Sequence, residues 1–363
     1  MDAPVQSRVV QAAQHPPFEV VALVLQGGGA LGADQAGVYE ALSEAGIYPN
    51  WIAGISIGAI NAAIIAGNAC FDFARGDTMR QLLNQMSAGL AMANGARGFF
   101  KARPVPPWFQ PAGTTDATSV YDTSELKRTL ERLVDFDRIN AGATRFSVGA
   151  VNVRSGNFAY FDNDTHTIQP EHIMASGALP PGFPAVEIEG EDYWDGGLVS
   201  NTPLQWVVET EPRRDTLAFQ VDLWSARGEF PRDIFAVMTR DKEIRYSSRT
   251  RAGTDQFKHI QKLRHTLAGL LEKLPEELKN GPEARLLGTV AARKVYNIVH
   301  LIYRAKNYEG HSKDYEFSRL SMQEHWRAGY HDARRTLRHP EVLKRPDNHE
   351  GVFTFDLAQD GRE

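Results

Sequence analysis

Residues 20–32 read VVALVLQGGGALG, and GISIG follows at Gly54–Gly58. Val20–Leu25 is a continuous apolar run that stops at three glycines. A run without polar alternation predicts a strand buried on both faces, as in a parallel sheet. Ala33–Ala45 then reads as a helix, with Ala36, Val38, Ala41, Leu42 and Ala45 available for packing and Gly46 as its stop. Tyr48–Ile55 predicts a second strand, and Ile57–Ala66 a second helix dense in Ala and Ile. Two strand–helix units in succession predict an α/β layered sheet.

Further along, Ser124–Leu133 reads as a helix, and Phe146–Val153 and Asn157–Phe161 as strands joined at Ser155-Gly156. Tyr193-Trp194 ends another strand, Leu204–Val208 begins a helix, and Thr216–Leu223 is a further strand. From about residue 230 the pattern turns helical. The chain therefore divides into a polar segment 1–19, an α/β region 20–225, a helical extension 226–345 and a polar tail 346–363. Residues 95–122 mix Gly and Pro with Phe99, Phe100, Trp108 and Phe109. That is a long aromatic loop, either the lid of an apolar channel or a strap whose aromatics fill the core edge.

The 363 residues are 42% apolar and 23% charged, which excludes global disorder and allows about two domains. Lys plus Arg total 40 and Asp plus Glu 45, a net charge of −5, which excludes a nucleic-acid binder working by bulk charge. A single cysteine, Cys70, excludes an intramolecular disulfide and a Cys-based zinc site; it is expected to be buried near the end of the second helix. Met1–Phe18 is polar and lacks the apolar core of a signal peptide. The longest apolar run, Trp51–Ala66, falls short of the roughly 20 residues that span a bilayer. A cytoplasmic location is expected, with peripheral membrane contact left open. Eight basic residues against three acidic ones between Arg240 and Arg264 form either a docking patch for anionic lipid or a solvated helix face.

Three motifs carry chemistry. Gly27–Gly32 sits between a strand and a helix, where backbone N–H groups can face an anion. The anion could be a dinucleotide pyrophosphate, since Gly27, Gly29 and Gly32 satisfy G-x-G-x-x-G, or the oxygen of a tetrahedral intermediate. A dinucleotide site expects an acidic residue at the end of the second strand, and none stands there. That strand ends instead in Gly54–Gly58, a G-x-S-x-G elbow presenting Ser56. The third motif, Asp195-Gly196-Gly197, ends a strand and places a carboxylate where it can reach a neighbouring strand end. No histidine stands in an obvious loop of the α/β region, which favours a direct Ser–Asp pair over a Ser-His-Asp triad.

GGGALG, then GISIG, then DGG, in this order, resembles the patatin-like phospholipase family. The similarity spans roughly residues 20–225 and includes the stretch from Ala175 to Asp195. The extension after it looks like that of a bacterial subgroup. The resemblance implies a three-layer α/β/α hydrolase core with a mostly helical C-terminal extension. It implies a serine acyl hydrolase of the phospholipase A or lipid acyl hydrolase type, with Ser56 as nucleophile and Asp195 as base, and with no cofactor and no metal. Gly28 and Gly29 would supply the oxyanion hole with Gly27 shaping its turn, and Gly54 and Gly58 would be the elbow glycines. Where the family usually has Arg or Lys, this chain has Leu31. The implied partner is a lipid or acyl-ester substrate; a carboxylesterase or thioesterase acting on other acyl esters is the alternative. The oligomeric state is not legible in the sequence.

Overall fold

The computed structural model describes residues 16–68, 88–247, 250–304, 309–347 and 351–357. Cys70 lies outside them. In chain order the first half carries β1 (Val20–Leu25), α1 (Ala33–Glu44), β2 (Trp51–Gly54), α2 (Ile57–Ala66), α3 (Ala88–Asn94), β3 (Gly95–Ala96), β4 (Phe100–Ala102), β5 (Tyr121–Asp122), α4 (Ser124–Leu133), α5 (Phe136–Asn140), β6 (Arg145–Asn152) and β7 (Phe158–Asp162). The second half carries α6 (Pro170–Ser176), β8 (Val186–Ile188), β9 (Glu191–Asp195), α7 (Leu204–Glu209), β10 (Thr216–Asp222), α8 (Ile234–Tyr246), α9 (Thr250–Glu272), α10 (Glu276–Lys279), α11 (Pro282–Val290), β11 (Tyr296–Ile302), α12 (Arg319–Thr336) and β12 (Val352–Phe355).

Nine strands form one sheet in the order β12-β11-β10-β1-β2-β6-β9-β8, with β7 also on β6. The strands from β12 to β6 pair in parallel, whereas β6 pairs antiparallel with β7 and β9. Successive side chains of a strand face opposite sides of its sheet. Val21, Leu23 and Leu25 of β1 accordingly enter the large core with α1 and α2, while Val20, Ala22 and Val24 enter a second core with Val207 of α7. Helices on both faces make the three layers, and β1 lies inside the sheet, buried on both faces as its unbroken hydropathy predicts.

The region after 226 is mostly helical and also carries β11 and β12. β11 and β12 extend the main sheet beyond β10. β11 was hidden in the sequence because Asn297 and His300 interrupt its apolar run; Asn297 is buried and its amide donates to Val342 O at 2.7 Å. β12 is four residues inside the stretch expected to be a polar tail. α12 packs on α1 so closely that a Cβ on Gly37 would lie 1.9 Å from Trp326 O. The 95–122 segment is also not a plain loop, since β3, β4 and β5 form a small antiparallel sheet. No helix among the described residues is long and apolar enough to cross a membrane.

Candidate active site

The site forms where one strand hands over to another. β2 ends with Gly54 paired to Val148 of β6, and β9 then takes up the same edge, with Asp195 paired to Ala150. The chain leaving β2 turns at Ser56 into α2, so a serine and an aspartate far apart in sequence arrive at one place.

Ser56 has φ 55° and ψ −122°, a conformation that costs a residue with a Cβ about 1–3 kcal/mol. Its surroundings hold it there. Its N–H donates to the buried Ser176 Oγ at 3.0 Å, and Gly58 N–H donates to Ile55 O at 2.8 Å. A Cβ on Gly54 would meet Gly58 O at 2.2 Å, and one on Gly58 would meet Leu25 O at 2.3 Å. The two elbow glycines are therefore a packing requirement.

Asp195 is 2% exposed. Its Oδ1 accepts the Gly197 N–H at 2.7 Å, and its carboxyl lines the same cavity as Ser56, near enough for the serine to act on its pKa. Burial pushes its pKa up to about 7, against the opposing effects of Gly197 and Ser56. A carboxylate of that basicity is a far better proton acceptor at neutral pH than an ordinary one.

Beside this pair runs the glycine loop. Gly27 N–H donates to Asn201 O at 3.2 Å, which commits that amide. The amides of Gly28 and Gly29 donate to no backbone carbonyl among the described residues. They line the same cavity as Ser56 and Asp195.

The cavity measures about 530 Å³. Ile57, Ile60, Phe99, Phe100, Leu126 and Met174 are among its apolar walls, which suit an acyl chain. No histidine is among the described lining residues. Phe100 is buried against Tyr121 and Phe183 at ring distances of 4.9 and 5.1 Å. Trp108 and Phe109, by contrast, are largely exposed. The aromatic segment thus has one end in the cavity wall and the other exposed.

Sequence reasoning missed much of the site. Ser176 and Asn201 fall within or beside quoted stretches but carried no assigned role. Trp224, Lys242, Tyr246, Asp314, Tyr315 and Phe317 also line the cavity and gave no sequence signal, because they lie on separate elements joined only by folding. Leu31 is fully buried in the core. Basic residues of the 240–264 stretch are engaged individually: Arg240 with Glu243, Lys242 with Asp314, Arg245 with Asp241, and Lys258 with Thr354. Arg249 and the side chain of Arg251 lie outside the described residues.

A serine on a strained strand-to-helix turn, a buried carboxylate and an apolar cavity beside a glycine loop thus meet at one end of an α/β sheet. The chain belongs to the patatin-like phospholipase family, whose profile matches residues 23–207, just over half of its length. A second profile, described as patatin phospholipase, matches residues 244–349. Family membership makes the chain a lipid acyl hydrolase. Two solved structures are similar to it. VipD from Legionella pneumophila is 14% identical with a TM-score of 0.41, over 94% of this chain and 72% of that one. The type III effector protein ExoU is 13% identical with a TM-score of 0.35, over 90% of this chain and 54% of that one. No match is found among curated proteins.

Proposed function

We propose that the chain cleaves lipid esters through a Ser56–Asp195 dyad and an acyl-enzyme. Asp195 accepts the Ser56 proton as Ser56 Oγ attacks the ester carbonyl carbon. The resulting oxyanion is stabilised by the amides of Gly28 and Gly29. The alcohol leaves with the proton from Asp195. Water then attacks the acyl-enzyme, again with Asp195 as base, and the free acid departs as Ser56 is restored. The observation that carries this reading is that Ser56 and the buried Asp195 line one cavity together with Gly28 and Gly29, whose amides donate to no backbone carbonyl among the described residues. That no histidine stands among the described lining residues supports a dyad over a triad.

Peripheral contact with lipid, from a cytoplasmic location, belongs to the same reading. It is supported by α8, which has no buried residue and carries Ile234 and Phe235 largely exposed, while Lys242 and Tyr246 of the same helix line the cavity. The part of segment 95–122 around Trp108 and Phe109 is proposed as a lid.

The test is covalent labelling by a fluorophosphonate together with ester hydrolysis. The wild type labels at Ser56 and hydrolyses p-nitrophenyl butyrate; Ser56→Ala does neither while keeping its fold. Hydrolysis at the wild-type rate by Ser56→Ala overturns the assignment.

A further inference from the structure

The carbonyl of Gly27 accepts two hydrogen bonds, from Asn201 Nδ2 at 3.0 Å and from Trp224 Nε1 at 3.0 Å. In a trans peptide the C=O of one residue and the N–H of the next point in opposite directions. Two donors on Gly27 O therefore set the rotation of the plane that carries the Gly28 amide, and turn that amide away from Asn201 and Trp224. Trp224 lies beyond the 23–207 match and just after the end of β10.

Trp224 is itself held from two sides, by Gln26 and by the C-terminal region. Its backbone N–H donates to Gln26 Oε1 at 2.9 Å, and Lys313 Nζ sits 5.1 Å from the centre of its indole. Lys313 also pairs with Glu243 at 2.8 Å, while the neighbours of these two residues pair with charges reversed: Lys242 holds both oxygens of Asp314 at 2.9 Å. A Lys-Glu step on α8 thus faces a Lys-Asp step on the turn at 313–314, in two crossed ion pairs. The Asp314 carbonyl lies directly over Gly29, where a Cβ would come within 2.1 Å of it, and Gly29 has φ 56°. Lys313 is 5% exposed, so its charge is anchored by these contacts and is not spread over the surface.

We infer that this clasp makes Trp224 and Lys313 positioning residues for the oxyanion hole. The segment after 226 then contributes to catalysis, because it presses the glycine loop from above through Asp314 and orients the Gly28 peptide from the side through Trp224. Groups held this way need no rearrangement as charge develops on the substrate oxygen. The inference rests on the acyl-hydrolase reading for its effect on rate, but its structural half can be measured without it.

The experiment compares wild type, Trp224→Phe, Lys313→Met and Lys313→Arg. Trp224→Phe removes the indole donor and keeps an aromatic ring, at the cost of some volume; Lys313→Arg keeps the cation. The readouts are kcat and KM on p-nitrophenyl butyrate, the rate of Ser56 labelling by a fluorophosphonate, and hydrogen exchange across residues 26–32. Trp224→Phe and Lys313→Met are expected to lower kcat and labelling rate together by about tenfold, with KM within about twofold, and to speed exchange in the glycine loop. Lys313→Arg is expected to recover most of the loss. Wild-type kcat and exchange in both Trp224→Phe and Lys313→Met overturn the inference, and so does a change confined to KM, which would make Trp224 only a wall of the cavity. Should Trp224→Phe not fold, the two Lys313 variants decide. If wild type labels no serine, the hydrolase reading fails separately, and the exchange data still show whether the clasp holds the loop.

Discussion

Gly27 and Asn201 hold each other twice: Gly27 N–H donates to Asn201 O at 3.2 Å, and Asn201 Nδ2 donates to Gly27 O at 3.0 Å. The second amide proton of Asn201 goes to Tyr246 O at 2.8 Å. One side chain thus ties the glycine loop to the segment after Asp195 and to the end of α8. Asn201→Ala removes one of two donors on Gly27 O, and kcat is expected to fall by about tenfold to a hundredfold with little change in KM. Steady-state kinetics on a short soluble ester check this.

Asp195 must be ionised to accept the Ser56 proton. With its pKa pushed up to about 7 by burial, kcat/KM is expected to rise with pH through an apparent pKa near 7 and level off above it. A pH–rate profile on a substrate that does not itself ionise there is the measurement. A limb near pH 4 would contradict the burial of this carboxyl.

The same shift bears on stability. The folded-state pKa of Asp195 lies above the ordinary value of 3.8, so between about pH 4 and 7 the folded state binds more protons than the unfolded one. The contribution of Asp195 to stability therefore declines as pH rises through that window and is least favourable above it. Asp195→Asn keeps an acceptor for Gly197 N–H and removes the buried charge. It is expected to abolish turnover yet raise Tm, by more at pH 8 than at pH 5, as read by thermal unfolding at the two pH values.

Leu126 is buried and lines the cavity. Leu126→Trp adds bulk where the acyl chain is proposed to lie. Hydrolysis of long-chain esters is expected to fall by about tenfold relative to butyrate, since a well-packed wall gives little when overfilled. A set of p-nitrophenyl esters of increasing length reads this ratio.

Phe235 is 71% exposed on a helix whose other end reaches the cavity. In the inactive Ser56→Ala background, Phe235→Asp is expected to weaken co-flotation with phospholipid vesicles by about tenfold, because an apolar side chain at the interface is replaced by a charge. Leu286→Asp, at a comparably exposed leucine on α11, serves as the control and is expected to bind as the parent does.

Val20–Leu25 and Ile57–Ala66 were legible because each is dense, apolar and bounded by glycine, and local patterning of that kind reflects burial directly. Gly54, Ser56 and Gly58 were legible because the turn they make tolerates few alternatives. β11 was not, since Asn297 and His300 break its pattern and only the Val342 and Lys344 carbonyls explain a buried asparagine. Trp224, Lys242 and Asp314 were not, for a different reason: each is ordinary beside its chain neighbours, and what it does depends on elements far away in sequence.

Sequence alone determined the strand–elbow–helix unit, the three motifs and their order, because short-range sterics and hydropathy act between neighbours along the chain. Tertiary structure alone decided that Asp195 meets Ser56 in a buried place, that Asn201 and Trp224 share the Gly27 carbonyl, and that the last third of the chain closes over the glycine loop. Those relationships come from strand pairing and helix packing between distant segments, and burial, which sets the basicity of Asp195, exists only once those segments have come together.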